Sequence, residues 1–78
     1  MFKAIIRDDV SYQDIAEFYE SDLQARRFID HHFYAAKEWY ENEGKNVLVL
    51  KNDDTNKILE IDGRKIQFAV RQENKGNN

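Results

Sequence analysis

The stretch that most constrains this chain runs from Ser21 to Gly44, SDLQARRFIDHHFYAAKEWYENEG. Stepping about 100° per residue collects Ala25, Phe28, Ile29, His32, Phe33, Ala36, Trp39 and Tyr40 on one side. Arg26, Arg27, Asp30, Tyr34, Lys37, Glu38 and Glu41 fall on the other. This is the period of an amphipathic helix, and both ends carry boundary signals. Ser21-Asp22-Leu23-Gln24 forms a Ser-x-x-Gln capping box, with an acid in the first turn where the helix dipole favours it. Gly44 is free to take the left-handed C-terminal cap. The apolar sector spans roughly 160°, wider than the ~100° needed to lie on one surface. The expectation is a helix gripped on two sides, by a sheet and by a second element or subunit. At about 33 Å it outruns an ordinary strand, so one end overhangs.

The rest of the chain supplies the sheet. Residues 2–7, FKAIIR, alternate Phe2, Ala4 and Ile6 against Lys3, Ile5 and Arg7, a strand with one apolar and one mixed face. In NVLVLKN, Val47 to Leu50 are apolar in a row, which predicts a strand at least partly covered on both faces. A polar turn at 53–56 and KILEID follow. Asp62-Gly63 then signals a hairpin, because a type I′ turn needs positive φ at both central positions. RKIQFAVR turns Ile66, Phe68 and Val70 inward.

Residues 11–20 admit two readings. As a helix they start well, with Ser11 as cap, Asp14 three positions on, and Val10 and Ile15 at the staple positions. As a strand they pair with residues 2–7, though neither alternate set is cleanly apolar. The helix is the preferred reading. The fold class expected is α+β in two layers: an antiparallel sheet of about four strands in the order β-α-(α)-β-β-β, with the long amphipathic helix on one face. Residues 1–71 make the single domain, and QENKGNN at 72–78, without an apolar residue, is expected to be a disordered tail.

Composition narrows the function classes. With 78 residues and no cysteine, disulfides and thiolate metal sites are excluded, and the core must be dense or shared with a partner. No run approaches a membrane span, and MFKAIIRDD lacks a signal-peptide cleavage site, so a soluble cytoplasmic protein is expected. His31 and His32 point about 100° apart on a helix and cannot face one ion. The paired carboxylates Asp8/Asp9, Asp53/Asp54 and Glu41/Glu43 sit in turns or at a helix end. The glycines and serines are accounted for by caps, turns and tail. No enzyme, metal or cofactor is expected.

Net charge is −3 but uneven, with ten acids against three bases over residues 8–43. This suggests a protein-binding module acting through an acidic helix surface, its candidate contact residues being Leu23, Arg27, Asp30, Tyr34, Glu38 and Glu41. The partner expected is a protein with a basic surface. A homodimer through Phe33, Trp39 and Tyr40 would account for the wide apolar sector. In style, not in motif, the chain resembles the small inhibitor and host-modulating proteins of bacteriophages, anti-defence proteins among them. That resemblance implies an inhibitor or modulator.

The alternative is a nucleic-acid-binding regulator. SYQDIAEFYESDLQARRFI loosely resembles a helix-turn-helix, with Asp14 to Glu17 in the supporting helix and Arg26-Arg27 early in the recognition helix. It departs from that pattern in lacking a small residue at the turn, in the length of the second helix, and in acids on the face that would meet DNA. The basic residues Lys51, Lys57, Arg64, Lys65 and Arg71 of the hairpins are the better phosphate candidates.

Overall fold

A computed structural model describes residues 1–73. Six elements follow in order: β1 (Phe2–Asp8), β2 (Gln13–Tyr19), α1 (Asp22–Asn42), β3 (Val47–Asn52), β4 (Asn56–Ile61) and β5 (Arg64–Gln72). All neighbouring strands are antiparallel, in the spatial order β2-β1-β5-β4-β3. The architecture is the two-layer α+β sandwich expected, with five strands.

The fifth strand is where the sequence favoured a helix. Residues 13–19 form β2, paired with β1 from Phe2↔Tyr19 to Asp8↔Gln13. Local capping signals lose here to tertiary pairing: β1 lies between β5 and β2 and is hydrogen-bonded along both sides. Ser11 is no cap. Its N–H and that of Val10 donate to Asp8 Oδ1 at 2.9 and 2.8 Å, a side-chain-closed turn that reverses the chain. Tyr12 completes the reversal with φ of +60°. The resemblance to a helix-turn-helix ends there, because the supposed supporting helix is a strand.

The helix boundaries follow their signals. Ser21 Oγ accepts from the Gln24 N–H at 3.4 Å. At the far end Lys45 N–H donates to Tyr40 O and Gly44 N–H to Glu41 O, with Gly44 at φ +78°, which is a Schellman cap. The Asp62-Gly63 hairpin has φ of +50° and +89°, as a type I′ turn requires.

The core is a single seam. Ala25, Ile29 and Phe33, four residues apart on α1, are buried over Ala4 and Ile6 of β1, Leu59 and Ile61 of β4, and Ile66 and Phe68 of β5. The Phe33 and Phe68 rings meet edge to face, centroids 5.6 Å apart. The helix is therefore held on one side and not gripped on two. Phe28, His32, Ala36 and Tyr40 are only half-buried, and Trp39 is 63% exposed.

The apolar run of β3 has the same outcome. Leu48, Val49 and Leu50 are exposed at 49%, 44% and 48%, because β3 is an edge strand and the sheet is covered on one face only. A register shift between Val49 and Lys51 bulges this edge. At the C-terminus the order extends past residue 71: Gln72 pairs with Phe2, and Glu73 N–H donates to Met1 O. Residues 74–78 of the expected tail lie outside the described residues. No helix among the described residues is long and apolar enough to cross a membrane.

Candidate functional site

Two surfaces compete for function: the outer side of α1 and the face of the sheet that α1 leaves bare.

Of the expected contact residues on α1, Arg27, Asp30, Tyr34 and Glu38 line one depression of about 450 Å³, together with His31 and Ala35. Leu23 and Glu41 lie on the same side of the helix and do not line it. The acidity of this side is largely neutralised from within. Asp22 pairs with Arg26 at 3.0 Å, Glu41 with Lys37 at 3.0 Å, and Asp30 with Lys57 at 3.4 Å. The Tyr34 hydroxyl accepts from Asn52 Nδ2 at 3.3 Å. Asp30 and Tyr34 thereby brace the helix against the β3–β4 hairpin as well as facing outward.

The three residues expected at a dimer surface differ in exposure. Phe33 is fully buried on Phe68 and has nothing to offer a second chain. Tyr40 is half-buried, and its phenol is held above its ordinary range by that burial first, then by the carboxylates of Asp8 and Glu43. Only Trp39 is open. The two histidines meet edge to face, centroids 5.5 Å apart, with His32 against Phe28 at 4.4 Å. Among the described residues no three His, Cys, Asp or Glu side chains gather as metal ligands do.

The bare face is built by alternation. Ala4 and Ile6 turn toward α1, so Lys3, Ile5 and Arg7 turn away from it. The register sets Phe18 and Arg71 on either side of Lys3, Ala16 and Ala69 on either side of Ile5, and Asp14 and Gln67 on either side of Arg7. Farther along, Glu60 pairs with Lys65 and with Leu48. Lys3, Ile5, Arg7, Asp14, Ala16 and Arg71 surround a shallow concavity of about 230 Å³, with Ile15 at its side.

This face gathers Lys3, Arg7, Lys65 and Arg71, with Asp14 and Glu60 among them. Among the described residues, Lys3, Arg7 and Arg71 have no carboxylate within 4 Å, whereas Asp22, Asp30 and Glu41 of α1 are each paired with a cation. The Lys3 ammonium stands 5.5 Å from the ring centre of Phe18, itself 52% exposed. Beyond Arg7, the β1–β2 turn and the Asp62-Gly63 hairpin enclose a second hollow of about 350 Å³, lined by Asp9, Tyr12, Gly63, Arg64 and Lys65. There Arg64 donates to the Tyr12 hydroxyl and lies over its ring.

The basic residues expected to act together are split by the fold. Lys57 is only 4% exposed, beneath α1. Lys51 is 3.8 Å from Asp53. Lys65 and Arg71 remain on the bare face, where Lys3 and Arg7 join them. Alternation in FKAIIR places Lys3 and Arg7 on a mixed strand face, and only the strand order brings β5 and Arg71 beside them. No known protein family, curated protein or solved structure matches this chain.

Proposed function

We propose that this chain is a non-enzymatic binding module whose working surface is the bare face of its sheet, and that its partner is anionic. The observation that carries this reading is the trio Lys3, Arg7 and Arg71. They stand with Asp14 around Ile5 and Ala16, and make no intramolecular ion pair among the described residues. Side chains of this kind attract an oppositely charged partner over distance and fix its orientation on contact. The face is too shallow to enclose a small substrate, whereas a broad partner laid across it would cover Ile5, Ala16 and Phe18 together.

The test is retention on heparin-agarose in low salt. The wild-type chain is expected to be retained, and the triple variant Lys3→Ala, Arg7→Ala, Arg71→Ala to pass through with an unchanged circular dichroism spectrum. Equal retention of both proteins refutes the reading.

One observation favours a second surface. Arg27, Asp30, Tyr34 and Glu38 share a single depression on α1, which suits a protein partner and an inhibitor or modulator role. Glu38, which no cation pairs among the described residues, is the residue to reverse. Glu38→Lys is expected to abolish capture of a basic-surfaced partner if this surface is used, and to leave heparin retention as it was.

A further inference from the structure

We infer that the anionic partner of the bare face is single-stranded nucleic acid, an assignment that rests on reading that face as the working surface. Three features of the face select this ligand over other polyanions.

The first is an aromatic platform among the cations. Phe18 lies on the bare face beside Lys3, half its surface open, with the ammonium of Lys3 over the ring. A free phosphate or an acidic peptide has no use for an open ring held this way. An unstacked base does, because every base offers a π-face to an aromatic side chain.

The second is the spacing of the cations. Lys3 and Arg71 are cross-strand neighbours, and Arg7 stands four residues along β1, about 13 Å away. Lys65 continues the line into the hollow where Tyr12 and Arg64 lie. From Phe18 to that hollow is a track of about 20 Å at strand rise. The Phe18 ring stands at one end, Lys3, Arg71, Arg7 and Lys65 lie along it, and Asp9 closes the other end. This fits the short end of single-strand site sizes, about four nucleotides.

The third feature argues against a duplex. The major groove admits a helix or a two-stranded ribbon, and a five-stranded sheet is too broad to enter. Asp14 beside Arg7 and Glu60 beside Lys65 flank the track on the same face. They repel a second phosphate backbone and leave room for one.

The experiment is fluorescence anisotropy with labelled 12-nucleotide single strands of DNA and RNA, and the matching duplex, titrated with the full chain at two salt concentrations. Single strands are expected to bind more tightly than the duplex. The logarithm of affinity should fall with the logarithm of salt, and Arg7→Ala should flatten that slope by about 0.7, the share of one phosphate on a single strand. Phe18→Ala is expected to weaken binding roughly 5- to 150-fold, the range for one lost stacking contact, and Phe18→Tyr to keep it. The Tyr variant separates stacking from fold.

Failure divides cleanly. Absent single-strand binding, equal binding of duplex, or indifference to Phe18→Ala overturns the nucleic-acid assignment, as does equal displacement of the strand by poly-glutamate. The bare face still stands if heparin retention depends on the basic trio. Loss of that dependence overturns both.

Discussion

Lys57 reaches up from β4 beneath the long helix and sets its ammonium 3.4 Å from the carboxylate of Asp30. Asn52 Oδ1 accepts from the same ammonium at 2.6 Å, and the Phe33 ring centre lies 5.3 Å away. A lysine this buried joins three elements at one atom. Its charge is tolerated because each side of it faces an acceptor, an anion or a π-face.

The consequence for mutation is asymmetric. Lys57→Met keeps the stem's packing and removes the charge with its desolvation, so stability is expected to stay within about 1 kcal/mol of wild type. Asp30→Ala leaves the ammonium short of a partner and should cost about 1–2 kcal/mol, moderated by the exposure of Asp30. In a domain of this size that is a fall in melting temperature of roughly 4–15 °C. Adding Lys57→Met to Asp30→Ala should recover most of the loss. Thermal denaturation of the four proteins checks this, and a loss unaffected by the second change would show that Asp30 acts otherwise.

A second prediction concerns the turn that makes the sheet five-stranded. Asp8 Oδ1 holds the N–H groups of Val10 and Ser11, and the Tyr12 backbone has φ of +60°. Asp8→Ala removes both bonds and is expected to cost about 1–2 kcal/mol. Tyr12→Gly relieves the left-handed backbone but forfeits the stack with Arg64, so it should fall near neutral. Urea denaturation reads both. Asp8→Ala at wild-type stability would mean that the pairing of β1 with β2 sets the turn unaided.

These two sites show why part of the fold was legible and part was not. The helix from Ser21 and the Asp62-Gly63 hairpin are written in residues adjacent in sequence, a capping box and a left-handed turn pair, and local chemistry suffices. Residues 11–20 carry weaker local signals that still favour a helix over a strand. Residues 13–19 are a strand because β1 offers an open edge within reach of a short turn. That is a tertiary fact. The exposure of Leu48 to Leu50 has the same origin: a continuous apolar run implies cover, and only strand order shows that β3 is last in the sheet.

The candidate surfaces divide along the same line. Arg27, Asp30, Tyr34 and Glu38 share a helix face, and helical period places them together from sequence alone. Lys3, Arg7 and Arg71 come from opposite ends of the chain and meet because β5 returns beside β1. Alternation within FKAIIR shows which residues turn outward, yet nothing local names their neighbours. The ion pairs that quiet the acidic face are likewise partly remote, Asp30 with Lys57 above all.

A third prediction follows from His32. The imidazole is partly buried against Phe28 and beside His31, and its pKa lies below the ordinary 6.5, through desolvation first and the neighbouring histidine second. A base with a depressed folded pKa is uncharged in the native state while the unfolded chain takes up a proton. Its stabilising contribution is therefore full above about pH 6.5 and is lost as pH falls from there through the folded value. The nuclear magnetic resonance titration of His32 should have its midpoint below 6.5, and His32→Gln should flatten the stability profile in that window. A midpoint at or above 6.5 would contradict the packing described.

The last prediction concerns the exposed edge. β3 presents Leu48, Val49 and Leu50 at the open end of the sheet, with one row of backbone groups unpaired. Such an edge is a template for another strand unless something blunts it. Here the register shift beside Leu50 and the charge of Lys51 serve that purpose. Asn46 O accepts from the Asp62 N–H, so the alternation of an antiparallel ladder turns the backbone groups of Val47 and Val49 outward. Two chains that matched these groups symmetrically would place Leu48 on Leu48 but bring Lys51 against Lys45. The apolar gain and the like-charge repulsion oppose each other. Lys51→Leu is expected to tip the balance: stability should change by less than about 0.5 kcal/mol at so exposed a site, while sedimentation at rising concentration should show association that wild type lacks. Leu48→Lys added to Lys51→Leu should abolish it. If the Lys51→Leu protein stays monomeric, the bulge alone protects the edge.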